Sequence, residues 1–239
     1  MWSVFKKEVR QFFSSLTGYM AVVLFLLLNG LFLFVFPNNN VFDQGYASLE
    51  TFFKTAAWVL LLLIPAITMR SFSDEFKIGT FEILKTRPIS KWQLILGKYL
   101  ASIFIVFITI FPTIIYVYTI NSLSTDGIDF GGISGSYIGL FFLASVFVSI
   151  GICCSSFTPN AVVAFLVSAF LCFLVNNAFT AISKIPGLPP GYDYYIEMIG
   201  IDFHYESMSR GVIDTRDVIY FLSIITLFLF ITRRNLEKR

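Results

Sequence analysis

The residues of this chain best suited to chemistry gather in one thirty-residue stretch, Met69 to Lys98, which reads MRSFSDEFKIGTFEILKTRPISKWQLILGK and lies between two long apolar runs. It holds six of the seventeen basic residues, Arg70, Lys77, Lys85, Arg87, Lys91 and Lys98, beside the acids Asp74, Glu75 and Glu82. Ser71 to Asp74 can cap a helix. Gly79 with Thr80 can end it and begin another, which puts Glu82 in a first turn where the helix dipole favours a carboxylate. Phe72, Phe76, Phe81, Ile83 and Leu84 add more apolar surface than a plain loop requires. The chemistry on offer is docking: a short helix along the membrane whose mixed apolar and charged face a partner would bury.

Catalysis has little to work with elsewhere. His204 is the only histidine, and with Glu206 nearby it makes neither a metal set nor an acid and base pair, so it reads as a polar residue at the membrane interface. Cys153, Cys154 and Cys172 fall in apolar runs, where thiols behave as small hydrophobes. The phosphate-binding pattern GxxxxGK[ST] is missing, because Gly97 and Lys98 are followed by Tyr99 and lack the upstream glycine. The central turns of the apolar runs hold no Asp, Glu, Lys, Arg or His, which disfavours proton or ion relays. Asn176 and Asn177 could line a pathway or bond a neighbouring helix, while Ser145, Ser149 and Cys153, and Gly135 with Gly139, read as small residues that let helices approach.

The elements that position these residues follow from composition. With 56% hydrophobic, 18% aromatic and only 13% charged residues, the 239-residue chain carries more apolar surface than a soluble core uses, and its solvent is lipid. A crossing takes roughly 20 apolar residues, which predicts one all-α, polytopic membrane domain over 1–239 with six spans near 19–36, 52–69, 99–120, 136–157, 160–182 and 217–232. The second run is short, but Lys54 can snorkel, and Leu49, Phe52 and Phe53 extend its apolar face. Placing the N-terminus inside puts thirteen basic residues on the inner side against four outside, and ten of fifteen acids outside. That bias sets both termini in the cytoplasm. The net charge of +2 and the absence of a basic stripe argue against nucleic acid.

Local signals set the boundaries. Ser90 with Gln93, and Ile89 with Leu94, match a capping box and hydrophobic staple at the start of the third span. Thr158 before Pro159 reads as an N-cap with proline at the first helical position, closing a tight hairpin. Trp2, Phe5, Phe12 and Phe13, with Val9 and Leu16, recur at helical spacing opposite Lys6, Lys7 and Arg10, which predicts an N-terminal helix in the inner interface. Phe36, Pro37 and Asn38 follow the first apolar run in place of a small-residue cleavage site, so that run is read as retained. Between Lys184 and Asp217, after a stretch rich in proline and glycine, a short amphipathic helix pair is expected, anchored by Tyr194, Tyr195, Met198, Ile199 and Phe203.

Glu75, Gly79, Thr80, Glu82, Leu84 and Pro88, followed by Ile89, Ser90, Gly97 and Lys98, form a pattern that resembles the permease subunits of ABC type-2 exporters. The stretch HYESMSRGVIDTRDVIYFLS near the last span is similar to the gliding-motility-associated (F-type) permeases of Bacteroidetes. The resemblance implies that Phe72, Glu75, Phe76, Gly79, Thr80, Phe81, Glu82, Leu84 and Lys85 belong to a coupling helix seated in a groove of a separate ATPase. It implies two ABC ATPase subunits holding ATP and Mg, with no cofactor on this chain. It also implies a second permease, a related chain with a periplasmic domain, in the bacterial inner membrane. A non-transporting scaffold in a larger envelope complex is the competing reading, and an ion-driven carrier or membrane enzyme is the weakest.

Overall fold

The computed structural model describes residues 1–36, 41, 48–85, 90–124, 127–185 and 191–238, with the side chains of 17, 83–85 and 192 set aside. The protein is 87% helical and has no strand among the described residues. In chain order the helices are α1 (Trp2–Phe13), α2 (Leu16–Phe34), α3 (Glu50–Thr68), α4 (Arg70–Ile78), α5 (Thr80–Lys85), α6 (Lys91–Ile110), α7 (Ile114–Leu123), α8 (Phe130–Phe157), α9 (Ala161–Ser183), α10 (Tyr192–Glu197), α11 (Ile201–Ser209) and α12 (Thr215–Lys238). Among the described residues five helical elements are long and apolar enough to cross a membrane: Glu50–Ile78, Lys91–Leu123, Phe130–Phe157, Ala161–Ser183 and Thr215–Lys238. A sixth candidate joins α1 to α2 through a 69° bend. Pro112 sits in the 3-10 turn Phe111–Thr113 that links α6 to α7, where its missing N–H breaks the α-helical ladder.

Helix α8 is the central post. Every residue from Leu143 to Ser156 is buried, and α3, α4, α6, α9, α11 and α12 all pack on it. Small residues make this approach possible. A Cβ added to Gly151 would lie 2.0 Å from Thr68 Oγ1, and one on Gly135 would lie 2.6 Å from the Met208 carbonyl oxygen. One end of the bundle, the basic end, gathers α1, α4, the start of α6 and the ends of α8 and α12. The opposite end gathers the start of α8 with α3 and α11, through Ser136 Oγ to Ser209 O at 3.0 Å and Tyr205 Oη to Phe53 O at 3.1 Å.

The helix ends divide between local and tertiary control. The capping box at Ser90 is present: Ser90 Oγ accepts from Gln93 N, and Gln93 Oε1 accepts from Ser90 N, each at 3.2 Å. Pro88 and Ile89, the other half of that expectation, lie outside the described residues. The hairpin cap is shifted. Asn160, not Thr158, caps α9 by accepting from Val162 N at 3.0 Å, and Thr158 Oγ1 accepts from Asn160 N one step earlier, so Pro159 precedes the helix.

The cap expected within Ser71 to Asp74 is absent because those residues lie inside α4, which follows α3 across Met69 as one 29-residue element. The expected short helix is present as α4, nine residues long, and it runs on from α3. The helix pair between α9 and α12 exists as α10 and α11, with Tyr194, Tyr195, Met198 and Ile199 exposed while Ile201, His204, Tyr205 and Met208 turn inward.

Candidate coupling site

At the basic end, α6 places a lysine inside the protein. Leu94, Lys98, Ala101 and Ile105 share one stripe of α6, spaced four, three and four residues apart, and all are buried. Lys98 is 1% exposed. Its ammonium lies 2.8 Å from Glu8 Oε1 on α1, 2.9 Å from Glu75 Oε1 on α4 and 2.5 Å from the Ser71 carbonyl oxygen. An ammonium has three donors, and here each has an acceptor. The Phe72 ring, 4.9 Å away, adds a cation–π contact.

Lys7 completes the charge balance. Its Nζ is 2.9 Å from Glu75 Oε1 and 3.7 Å from Glu8 Oε1, giving two ammoniums against two carboxylates. Burial pulls the Lys7 ammonium down, but Glu75 and Glu8 outweigh it and hold it above its ordinary value. Glu75 Oε2 has no hydrogen-bond partner among the described residues. A buried pair of this kind contributes little net stability beside an apolar substitute. Breaking it from one side is expensive, because the charge left behind has no solvent. The cluster therefore fixes geometry: α1, α4 and α6 are held in one arrangement.

Two further contacts set α4 in place. Ser155 Oγ of α8 accepts from Phe72 N at 2.9 Å and Ser73 N at 3.1 Å and donates to Met69 O at 3.0 Å. A neighbouring helix thus supplies the cap that α4 lacks in its own sequence. At its other end, α4 stops on Gly79 in the left-handed conformation, φ +78°, which glycine adopts without the Cβ penalty. Helix α1 reaches α6 over Gly97, where a Cβ would come within 3.0 Å of Met1 O and Val4 Cβ.

The residues singled out in the sequence separate into two groups. Phe72, Glu75 and Phe81 are buried by the chain's own helices, with Phe76 stacked on Phe72 and edge-on to Phe81, so this apolar surface is covered without a partner. The exposed rim consists of Lys77, Ile78 (73% exposed), Gly79 and Glu82, with Thr80 half-buried at the turn. The side chains of Leu84 and Lys85 lie outside the described residues. Trp2 is exposed and stacked on Phe5, which meets Phe104 of α6, while Phe12 and Phe13 lie half-buried at the α1–α2 elbow. Asn176 and Asn177 stand at the opposite end, where they help line a cavity and Asn177 donates to Phe173 O at 3.2 Å.

A family model described as ABC-2 family transporter protein matches residues 2–190, which takes in the whole site and most of the chain. The chain belongs to the ABC-2 family. The match ends before α10, so the stretch from His204 to Ser223 stands outside it. Among curated proteins no relative matches. ABC-2 membership makes the chain a membrane permease subunit and implies association with ABC ATPase subunits and the bilayer. It also gives the rim on α4 and α5 a context: the ABC-2 chain presents there a compact surface braced from behind by a neutral, buried ion cluster.

Glu8, Lys98, Ser155 and His204 take their places through contacts distant in sequence. Lys98 was counted with the basic loop, although a lysine on an apolar i, i+4, i+7 stripe was the available signal. Ser155 carried no local signal. His204 is buried within the protein: its Nδ1 is 2.6 Å from Asp217 Oδ1, its Nε2 is 2.9 Å from Met198 O, and its ring stacks on Tyr220 at 3.9 Å.

Proposed function

We propose that this chain is the transmembrane subunit of an ATP-driven, exporter-type ABC complex in the bacterial inner membrane, with both termini in the cytoplasm. Two separate ATPase subunits hold ATP and Mg and engage the rim formed by Lys77, Ile78, Gly79 and Glu82. The observation that carries the reading is the Lys98 cluster. A push on α4 cannot be absorbed locally when Glu75 is held to Lys98 and Lys98 to Glu8, so α1, α4 and α6 move together. The resemblance around His204 to Ser223 supports a role in gliding motility. There a second, related permease with a periplasmic domain completes the pathway or is itself moved.

The test is co-purification of the ATPase with the chain and with its Glu82→Lys variant. Reversing one exposed charge on the rim should weaken association about tenfold, as rim charges at interfaces act mainly on encounter and specificity. Equal recovery of the ATPase would remove Glu82 from the interface. Failure to recover any ATPase with the unaltered chain would favour the scaffold reading.

A further inference from the structure

Two concavities meet on the face of α3 that begins at Glu50, which the described residues leave open. The first is an apolar groove of about 820 Å3 between α2 and α3, where Leu24, Leu28 and Phe32 face Trp58 and Leu62. Its polar side chains, Glu50, Thr51, Lys54 and Thr55, all lie in the first turns of α3. From Glu50 to Ala66 the groove follows α3 for about 24 Å at the α-helical rise. That is about one leaflet with its head group, half of a bilayer roughly 40–45 Å thick.

The second concavity, of about 700 Å3, shares Glu50, Lys54 and Trp58 with the groove and extends beneath α11. It brings both signs of charge together: Lys54 and Arg210 against Glu50, Asp129, Asp202 and Glu206. Among the described residues Lys54 pairs with Glu50 at 2.6 Å and Arg210 with Glu206 at 3.8 Å, each with both partners exposed, and exposed pairs of this kind exchange partners at small cost. Asp202 forms no ion pair among the described residues. Burial, then the neighbouring Glu206, outweigh Lys184 and Thr180 and hold its carboxyl above the usual range.

We propose that this composite site binds one aminophospholipid. An acyl chain lies in the α2–α3 groove, the phosphate meets Lys54 and Arg210, and the ammonium meets Asp202 and Glu206. An anionic phospholipid would leave the acids without a partner, and a purely apolar ligand would leave the polar cavity unused. The inference rests on α3 crossing the bilayer and not on coupling to an ATPase, so it stands or falls separately from the test above.

Trp58 is the reporter, since it is 53% exposed and lines both concavities. In a Trp2→Phe, Trp92→Phe background it is the only tryptophan. The protein is reconstituted into vesicles containing phospholipid brominated on the acyl chain, with either phosphatidylethanolamine or phosphatidylglycerol as the brominated species. Quenching should show a preference of about threefold to fivefold for the ethanolamine lipid, the scale of one exposed charge contact. An Asp202→Asn, Glu206→Gln variant should quench equally with both. Equal quenching in the reporter protein itself would mean bulk lipid only and overturn the site. Stronger quenching by phosphatidylglycerol would make it an anionic-lipid site and overturn the head-group assignment. A preference that survives in the Asp202, Glu206 variant would also overturn it.

Discussion

The two ends of the molecule each bury a bonded pair of ionisable side chains, and they are built differently. At the basic end, Lys98 joins Glu8 and Glu75, residues 90 and 23 positions away, and so ties three helices together. At the opposite end, His204 joins Asp217, only 13 positions away, and fastens α11 to the start of α12. All three donors of Lys98 are used. The His204 ring faces a carboxylate on one nitrogen and a carbonyl oxygen on the other, so it donates to both only as imidazolium, and Asp217 Oδ2 has no partner among the described residues. One end is a long-range brace and the other a local clasp. A brace transmits displacement between distant elements; a clasp keeps one segment shut.

The sharpest break in that comparison is Lys98→Met. It leaves Glu8 and Glu75 facing each other with only Lys7 between them, and should cost about 3–5 kcal/mol. Denaturation in detergent measures it, and replacing both carboxylates by glutamine in the same protein should recover more than half of the loss. No recovery would mean that Lys98 acts through shape and not charge. His204→Phe should cost less, about 2–3 kcal/mol, because it strands one carboxylate and one carbonyl while keeping the stack on Tyr220. If the two losses were equal, the distinction between brace and clasp would fail.

Ser155→Ala separates position from charge. It removes the acceptor for two backbone N–H groups at the head of α4 without touching the ion cluster, and should cost about 1–2 kcal/mol. Its diagnostic readout is hydrogen exchange: protection should fall at Phe72 and Ser73 before it falls anywhere in α8. Uniform loss across the bundle would show that Ser155 holds the core and not the α3–α4 junction.

How much of this was legible depended on how far each determinant lay from what it determines. The all-α polytopic class follows from long apolar runs, and the Ser90 capping box from contacts three residues apart. The α9 cap was displaced by two residues because Thr158 and Asn160 are both competent acceptors and work in series. The α4 cap was out of reach, since Ser155 stands more than 80 residues from the N–H groups it satisfies. Lys98 is legible in a different way: its charge places it at the cytoplasmic end of the helix that starts at Ser90, whereas the stripe it shares with Leu94 and Ala101 turns it inside. Asp202 and Glu206 each lie two positions from His204 in sequence, while the turn at Gly211, φ +86°, brings Asp217 to it instead.

The smallest expected effect tests whether the α11 end carries surplus negative charge apart from its clasp. Asp202 lies on the same helix as His204, and its carboxyl is held above the usual range by burial and by Glu206 and Glu197, against the pull of Lys184. A carboxyl raised in the folded state binds its proton more tightly there than in the unfolded chain. Its contribution is therefore present below the ordinary aspartate value and lost as pH rises through the raised one. Asparagine mimics the protonated form at every pH. Wild type and Asp202→Asn should have matching stability in acid, and the variant should gain on the wild type across that window and then hold a constant lead. Carboxylates that do not interact with Asp202 titrate equally in both proteins and cancel from the difference, whereas Glu206 and Glu197 change with it. A difference that does not change with pH would mean that Asp202 contributes by packing alone, and the charge surplus assigned to this end would have to come from Glu206 and Asp129 instead.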